Sequence, residues 1–131
     1  MQITFDNPAT VPAPVGTYSH VGKLTIGDGT LLFVAGQLAV DSAGRLVGDG
    51  SMAEQAKFVL ETIGEILEAH GATFGNVVNI RTFLTDMDAV GDYVAVRSKY
   101  FTGDLPTSTT VEISRLAIPG VLIEIEVVAA C

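Results

Sequence analysis

Near the end of the chain, Glu124 and Glu126 stand two residues apart in the stretch Ile-Glu-Ile-Glu. On a strand that spacing turns both side chains to one face, with β carbons about 6 to 7 Å apart. A pair so placed can divide the work of an acid and a base, one carboxyl donating a proton where the other accepts. Alternating Ile and Glu is equally the ordinary pattern of a strand with one buried and one wet face. The simpler expectation is that one of the two acts alone.

A second stretch, TSTTVEISRL at 107–116, sets four hydroxyl side chains in a row ahead of Glu112 and Arg115. Hydroxyls on a strand can hydrogen-bond a small polar ligand, or can simply complete the edge of a sheet. The histidines, His20 and His70, are far apart in the chain. His70 falls at the end of a helical pattern, where the dipole favours a partial positive charge, and a structural role is expected there. His20 follows Tyr18-Ser19, but no serine or carboxylate stands at a spacing that builds a nucleophilic triad with it. Isolated histidines without clustered acids give no metal ligand set, so no metal is expected. The pieces GDGT and VGDGS lack the Lys-Ser/Thr of a phosphate-binding loop and read as turns.

These groups are carried on 131 residues, enough for one domain with a real core and too few for two. The hydrophobic share, 48%, is high for so small a chain, so some apolar surface is expected to meet another subunit. A formal charge of -8, from 15 acidic and 7 basic residues, repels phosphates rather than gathering them. The cations Lys23, Arg45, Lys57, Arg81, Arg97, Lys99 and Arg115 are scattered, which makes nucleic acid a poor partner. The single cysteine, Cys131, excludes an internal disulfide and suits a reducing compartment. There is no basic leader and no run of about 18 uncharged apolar residues, so no membrane partner is expected, and the reading is a soluble cytoplasmic protein.

Positioning the candidate groups takes a succession of strands and helices. ITF at 3–5 reads as a short strand, followed by the proline-rich loop NPATVPAPVG. YSHVGKLTIG and LLFVAGQLAV flank Gly27-Asp28-Gly29 as a hairpin, and the second, apolar on both faces, reads as a central strand covered on both sides. Ser51-Met52-Ala53-Glu54 has the form of a capping box. From there Ala53, Ala56, Val59, Leu60, Ile63, Ile66 and Leu67 keep helical spacing up to a stop at Gly71, with Phe58 off the stripe.

NVVNIRTFLTD, 76–86, reads as a strand with Val78, Ile80, Thr82 and Leu84 on one side and Val77, Asn79, Arg81 and Phe83 on the other, entered by a β-α-β crossover. A second amphipathic helix spans Asp88 to about Phe101, with Val90, Tyr93, Val94 and Arg97 near one face. TSTTVEIS and VLIEIEVVAA are strands around a Pro119-Gly120 turn. The order ββ, α, β, α, ββ predicts an α+β domain, a mixed sheet with its helices on one face. The other face needs a cover. The simplest one is a neighbouring copy of the same sheet, with pockets between subunits.

Tyr18-Ser19-His20, LLFVAGQLAVDSAGRLVG, EQAKFVLETIGEILEAHGATFGNVV, NIRTFLTDM, and PTSTTVEISRL followed by IEIEVVAA closely resemble, in this order, the YjgF/RidA family, also called L-PSP. The match runs from about residue 14 to the end of a single domain, 1–131. The resemblance implies a chorismate-mutase-like (YjgF-like) fold and a homotrimer with small-molecule clefts at its subunit interfaces. It also implies a chemistry. Relatives hydrolyse reactive enamines and imines, such as 2-aminoacrylate and 2-iminopropionate, to keto acids and ammonia without metal or cofactor. In them an arginine holds the substrate carboxylate by paired charge-assisted hydrogen bonds, and a glutamate with nearby backbone groups places the attacking water.

By that resemblance the glutamate falls on Glu124, the tyrosine on Tyr18 and the cleft glycine on Gly36. The arginine's motif, P-x-R-S-x-V-E, reads PTSTTVE here, so Ser108 stands in its place. A hydroxyl is no substitute for a bidentate ion pair in a partly dry pocket, and losing that pair costs roughly 2 to 5 kcal/mol. Arg81 and Arg97 are the cations placed to supply a charge, Arg97 from the helix that borders the cleft in relatives; Arg115 is expected to form a structural ion pair. The resulting expectation is a hydrolase or deaminase of an enamine, imine or related small metabolite. Glu124 orients water, and Tyr18, Gly36, Ser108, Thr110 and Arg97 line the substrate site. The alternative class is a non-catalytic trimer that binds a metabolite or a protein partner through the same cleft. Endoribonuclease, an older family label, sits poorly with the acidic charge.

Overall fold

The computed structural model describes residues 1–131, the whole sequence. Six strands and two helices follow one another as β1 (Gln2–Asp6), β2 (Val21–Ile26), β3 (Gly29–Leu38), α1 (Met52–Glu68), β4 (Val77–Leu84), α2 (Val90–Arg97), β5 (Thr107–Glu112) and β6 (Ile123–Ala130). The strands form one mixed sheet in the order β1-β2-β3-β6-β4-β5. This is the expected α+β architecture.

Gly27 opens the β2–β3 turn at φ +60°, a conformation that glycine enters without steric cost. The crossover through α1 does not end beside β3. The last strand, β6, slips between β3 and β4 and runs antiparallel to both, while α2 connects the parallel neighbours β4 and β5. The chain's final apolar strand thereby becomes the middle of the sheet.

The start of α1 is fixed by Ser51, whose hydroxyl accepts from the Glu54 N–H at 3.2 Å. That is half of the expected capping box. The reciprocal arrangement is found at Thr73–Asn76 instead. Gly71 ends the helical region at φ +73°. The buried face of α1, with Ala56, Val59, Leu60, Ile63, Ile66 and Leu67 all 0% exposed, packs over β3 and β6 and joins Leu32, Val34, Ile123, Ile125, Val127 and Ala129 in one core that extends to Ile80 and Leu84 of β4. Truncating one of these large aliphatic side chains to Ala costs about 2 to 5 kcal/mol. Gln55, also 0% exposed, belongs to that face where the pattern had Ala53. Its amide donates to Gly120 O at 3.0 Å and accepts from Leu122 N at 2.8 Å, tying α1 to the start of β6.

Three expectations are corrected. In the single chain β3 is covered on one face only: Leu32 and Val34 are buried against the helices, while Phe33 is 48% exposed on the other side. On β4 a bulge between Val77 and Asn79 breaks the alternation, so Val77 is buried and Val78 exposed. The second helix is shorter than expected, and only Tyr93 of its apolar side is buried; Val94 is 54% exposed. The face free of helices also carries exposed Ile3 and Phe5.

Candidate functional site

Alternation along β6 sends Ile123 and Ile125 into the core and Glu124 and Glu126 onto the helix-free face. The two carboxylates then part company. Glu126 Oε1 lies 3.4 Å from Arg81 Nη1 on β4, an ion pair, whereas none of the chain's ion pairs involves Glu124. Glu124 lies between Leu38 of β3 and Phe83 of β4 in the sheet register. Half-burial holds its carboxyl above the usual glutamate range, and the charge of Glu126 adds to the rise.

What makes room for that carboxylate is a defect in β3. Between Val34 and Gln37 the register with β6 shifts, and Gly36 sits in the irregular stretch. A Cβ at Gly36 would overlap the Glu124 carboxylate oxygen and come within 2.8 Å of its carboxyl carbon. Gln37, buried, braces the shift by donating to Ala35 O at 3.0 Å, and its amide also meets His20 Nδ1 at 3.2 Å. His20 Nε2 in turn donates to Pro12 O at 2.7 Å, which holds the N-terminal loop down. Tyr18 stands over this region, 47% exposed, and lines a recess with Gly36, Gln37, His20 and Phe58. The recess measures about 40 Å³, room for a water or two and not for a metabolite. His20 is a latch, as is His70, which bridges Ile66 O at 2.7 Å and Asp6 Oδ2 at 2.8 Å to pin β1 to the end of α1.

The remaining candidates gather elsewhere. Ser108 and Thr110 pair in register with Ile80 and Thr82, so they lie on the helix side of the sheet, toward its β5 edge. Arg97, in the last turn of α2, donates from Nη1 to Ser108 Oγ at 2.8 Å and to Tyr93 Oη at 3.3 Å. Tyr93 Oη is 2.6 Å from Thr82 Oγ1, and both side chains are buried. The rings of Tyr93 and Phe101 lie 6.0 and 5.4 Å from the Arg97 guanidinium carbon. Glu112 is occupied in accepting from Met87 N at 2.9 Å, a cap on the turn before α2. Arg115, expected to form a structural ion pair, forms none: it is exposed on the loop after β5, with no carboxylate within reach.

Within one chain, then, the predicted residues fall into two groups. Gly36, in the β3 irregularity, meets the Glu124 carboxylate and also lines the recess of Tyr18, a recess that Glu124 itself does not line. Arg97, Ser108 and Thr110 lie on the opposite face, two strands away from Glu124, about 10 Å at ordinary strand spacing. Sequence reasoning missed the Tyr93–Thr82 support beneath Arg97. The signal was present in the spacing of Tyr93 and Arg97, one helical turn apart. No group of His, Cys, Asp and Glu side chains is placed to hold a metal ion, and no helix is long and apolar enough to cross a membrane.

The profile of the family described as Endoribonuclease L-PSP matches residues 9–131. A RutC family protein of Pyrococcus abyssi is 38% identical over 118 residues, which cover 90% of this chain and 89% of that protein. The 2-iminobutanoate/2-iminopropanoate deaminase of Rattus norvegicus is 39% identical over 119 residues, covering 90% of this chain and 82% of the rat protein. Among solved structures, E. coli TdcF with bound serine superposes with a TM-score of 0.82 at 25% identity, covering 98% of each chain.

Proposed function

Since the chain belongs to the Endoribonuclease L-PSP family, the YjgF/RidA family that its motifs resemble, we propose that it hydrolyses a small enamine or imine to the corresponding carbonyl compound and ammonia. The observation that carries this reading is Glu124: a half-buried carboxylate with no cation of its own, laid over a glycine, and held above the usual glutamate range by burial. Such a group, able to change charge, suits proton transfer. The water oxygen bonds to the imine carbon while Glu124 takes one of its protons. That proton passes to the nitrogen as the C=N π bond opens, giving a carbinolamine; Glu124 then moves the hydroxyl proton to the amino nitrogen, the carbonyl π bond forms as the carbon–nitrogen bond breaks, and ammonia leaves.

The reaction vessel in this proposal is a cleft between copies of the chain in a homotrimer. Two features support it. The recess beside Tyr18 is too small for a substrate, and the group around Ser108 faces away from Glu124 of the same chain. A second copy covering the helix-free face, with Phe5 and Phe33 under it, brings one copy's β5 edge toward another's Glu124. Tyr18, Ser108 and Thr110 then contribute hydrogen bonds to the substrate, and Gly36 keeps the floor open beneath the carboxylate.

The test is release of ammonia and pyruvate from 2-aminoacrylate or 2-iminopropionate generated in place. Purified protein is expected to accelerate it well above buffer, and Glu124→Gln to lose about 10²- to 10⁴-fold in kcat, the range for a lost general acid–base. A wild-type protein that leaves the uncatalysed rate unchanged removes the reading.

A further inference from the structure

We propose that Arg97, carried on α2, is the anion clamp of this cleft, acting from the place where Ser108 leaves room for it, and that the substrate therefore bears a carboxylate. The inference rests on the hydrolase reading for the identity of the substrate but not for the existence of the clamp.

Nη1 of Arg97 lies 2.8 Å from Ser108 Oγ, so a guanidinium occupies the surface of β5 although β5 itself supplies no cation there. A longer side chain at position 108 would collide with it, and an arginine there would set two like charges side by side. The small hydroxyl and the cation on α2 make one arrangement.

The guanidinium is also held ready. Both Nη1 hydrogens are used, one on Ser108 and one on Tyr93 Oη. Tyr93 Oη accepts from Arg97 and shares a hydrogen bond with Thr82 Oγ1, 2.6 Å away, which roots the arrangement in the core. Phe101 and Tyr93 present ring faces to the charge. What remains free is the Nε–Nη2 edge, the side of a guanidinium that meets both oxygens of a carboxylate at once. Nothing in the chain takes that edge. Arg45 and Arg81 are paired with Asp41 and Glu126, whereas Arg97 has no carboxylate partner in a protein with 15 acidic side chains. An organised, partly desolvated and unpaired cation is a site for an anion supplied from outside. The ligands named for two similar proteins, an imino acid and serine, are both carboxylates.

Pyruvate, the keto acid product of 2-iminopropionate, is the probe. In calorimetric titration the wild-type protein is expected to bind it, and Arg97→Met to bind it about 10- to 100-fold more weakly, the range for hydrogen bonds to a charged group. Arg97→Lys, which keeps the charge and loses the fork, should fall between the two. Moving the cation with the double change Arg97→Ser and Ser108→Arg is expected to recover most of the loss. Absence of pyruvate binding by the wild type, or equal binding by wild type and a folded Arg97→Met, overturns the inference; if that variant does not fold, undiminished binding by Arg97→Lys overturns it instead. Imine turnover is read separately. Pyruvate binding through Arg97 without ammonia release would keep the clamp and sink the hydrolase reading. Turnover with KM unchanged in Arg97→Met would do the reverse.

Discussion

Glu124 and Arg97 reach their positions by different means. The carboxylate lies over an irregularity in β3 with no side chain holding it, whereas the guanidinium is tied through Ser108, Tyr93 and Thr82 back into the core. The contrast follows from what each group has to do. A proton carrier must be able to change charge, and hydrogen bonds from fixed donors would hold it ionised. An anion clamp must keep its charge and geometry, and hydroxyls and ring faces position it without neutralising it. On the acid side the backbone supplies the precision; on the cation side a chain of side chains does.

The sharpest way to break this contrast is to alter the backbone's shape under Glu124. Gly36→Ala places a methyl group where the carboxylate oxygen now is. Glu124 has no second anchor, so it must swing away, and a displacement of that order costs about 10²-fold in kcat. Steady-state kinetics checks this, with pyruvate binding expected to stay near wild type because Arg97 is on the other face of the sheet. Activity undiminished in Gly36→Ala would mean that the carboxylate needs no such floor.

The cation side should yield more gradually. Tyr93→Phe removes one of the acceptors of Arg97 but leaves Ser108 and the ring of Phe101 in place, so its effect on pyruvate binding should be smaller than that of Arg97→Met. Its larger consequence is for stability. Thr82, 1% exposed, loses the partner of its hydroxyl, which costs about 1 to 3 kcal/mol and is measurable by urea unfolding. A stability loss with no change in binding would make the network structural only.

These two sides were not equally legible in the sequence. Period-two alternation settles the face that Glu124 and Glu126 share, the family resemblance chooses Glu124 between them, and helix α1 is legible because Ser51 and Gly71 punctuate an apolar stripe. Features that depend on a partner strand could not be found in this way. The bulge that buries Val77 in place of Val78 is set by the register with β6, which lies some 50 residues further along the chain. The meeting of Arg97 with Ser108 depends in the same way on α2 returning over its own β5. Arg115 shows the converse: a charged residue in a familiar pair with Leu116 invited a partner that the loop does not bring near it.

The smallest expected effect separates the two carboxylates of β6. The charged groups facing Glu124 are Glu126 on its own strand and, beyond that, Arg81 on β4, which is paired with Glu126; Leu38 and Phe83 beside it are neutral. Burial is the first cause of its raised pKa and the charge of Glu126 the second. If Glu124 works ionised, activity falls as pH drops through that raised value, so the acid limb of kcat should lie above the ordinary carboxylate range. Glu126→Gln removes the second cause and frees Arg81, and both changes move the limb to lower pH. Stability has the opposite dependence. A carboxyl whose pKa is higher folded than unfolded favours the native state when protonated, and that contribution, complete below the unfolded pKa, is lost as pH rises through the folded one. Glu124→Gln should therefore unfold at higher urea than wild type at neutral pH, with the gap closing on acidification. If the gap instead widened toward acid pH, Glu124 would be a carboxylate stabilised by its surroundings, and the distinction between a free acid and a tethered cation would fail at its first member.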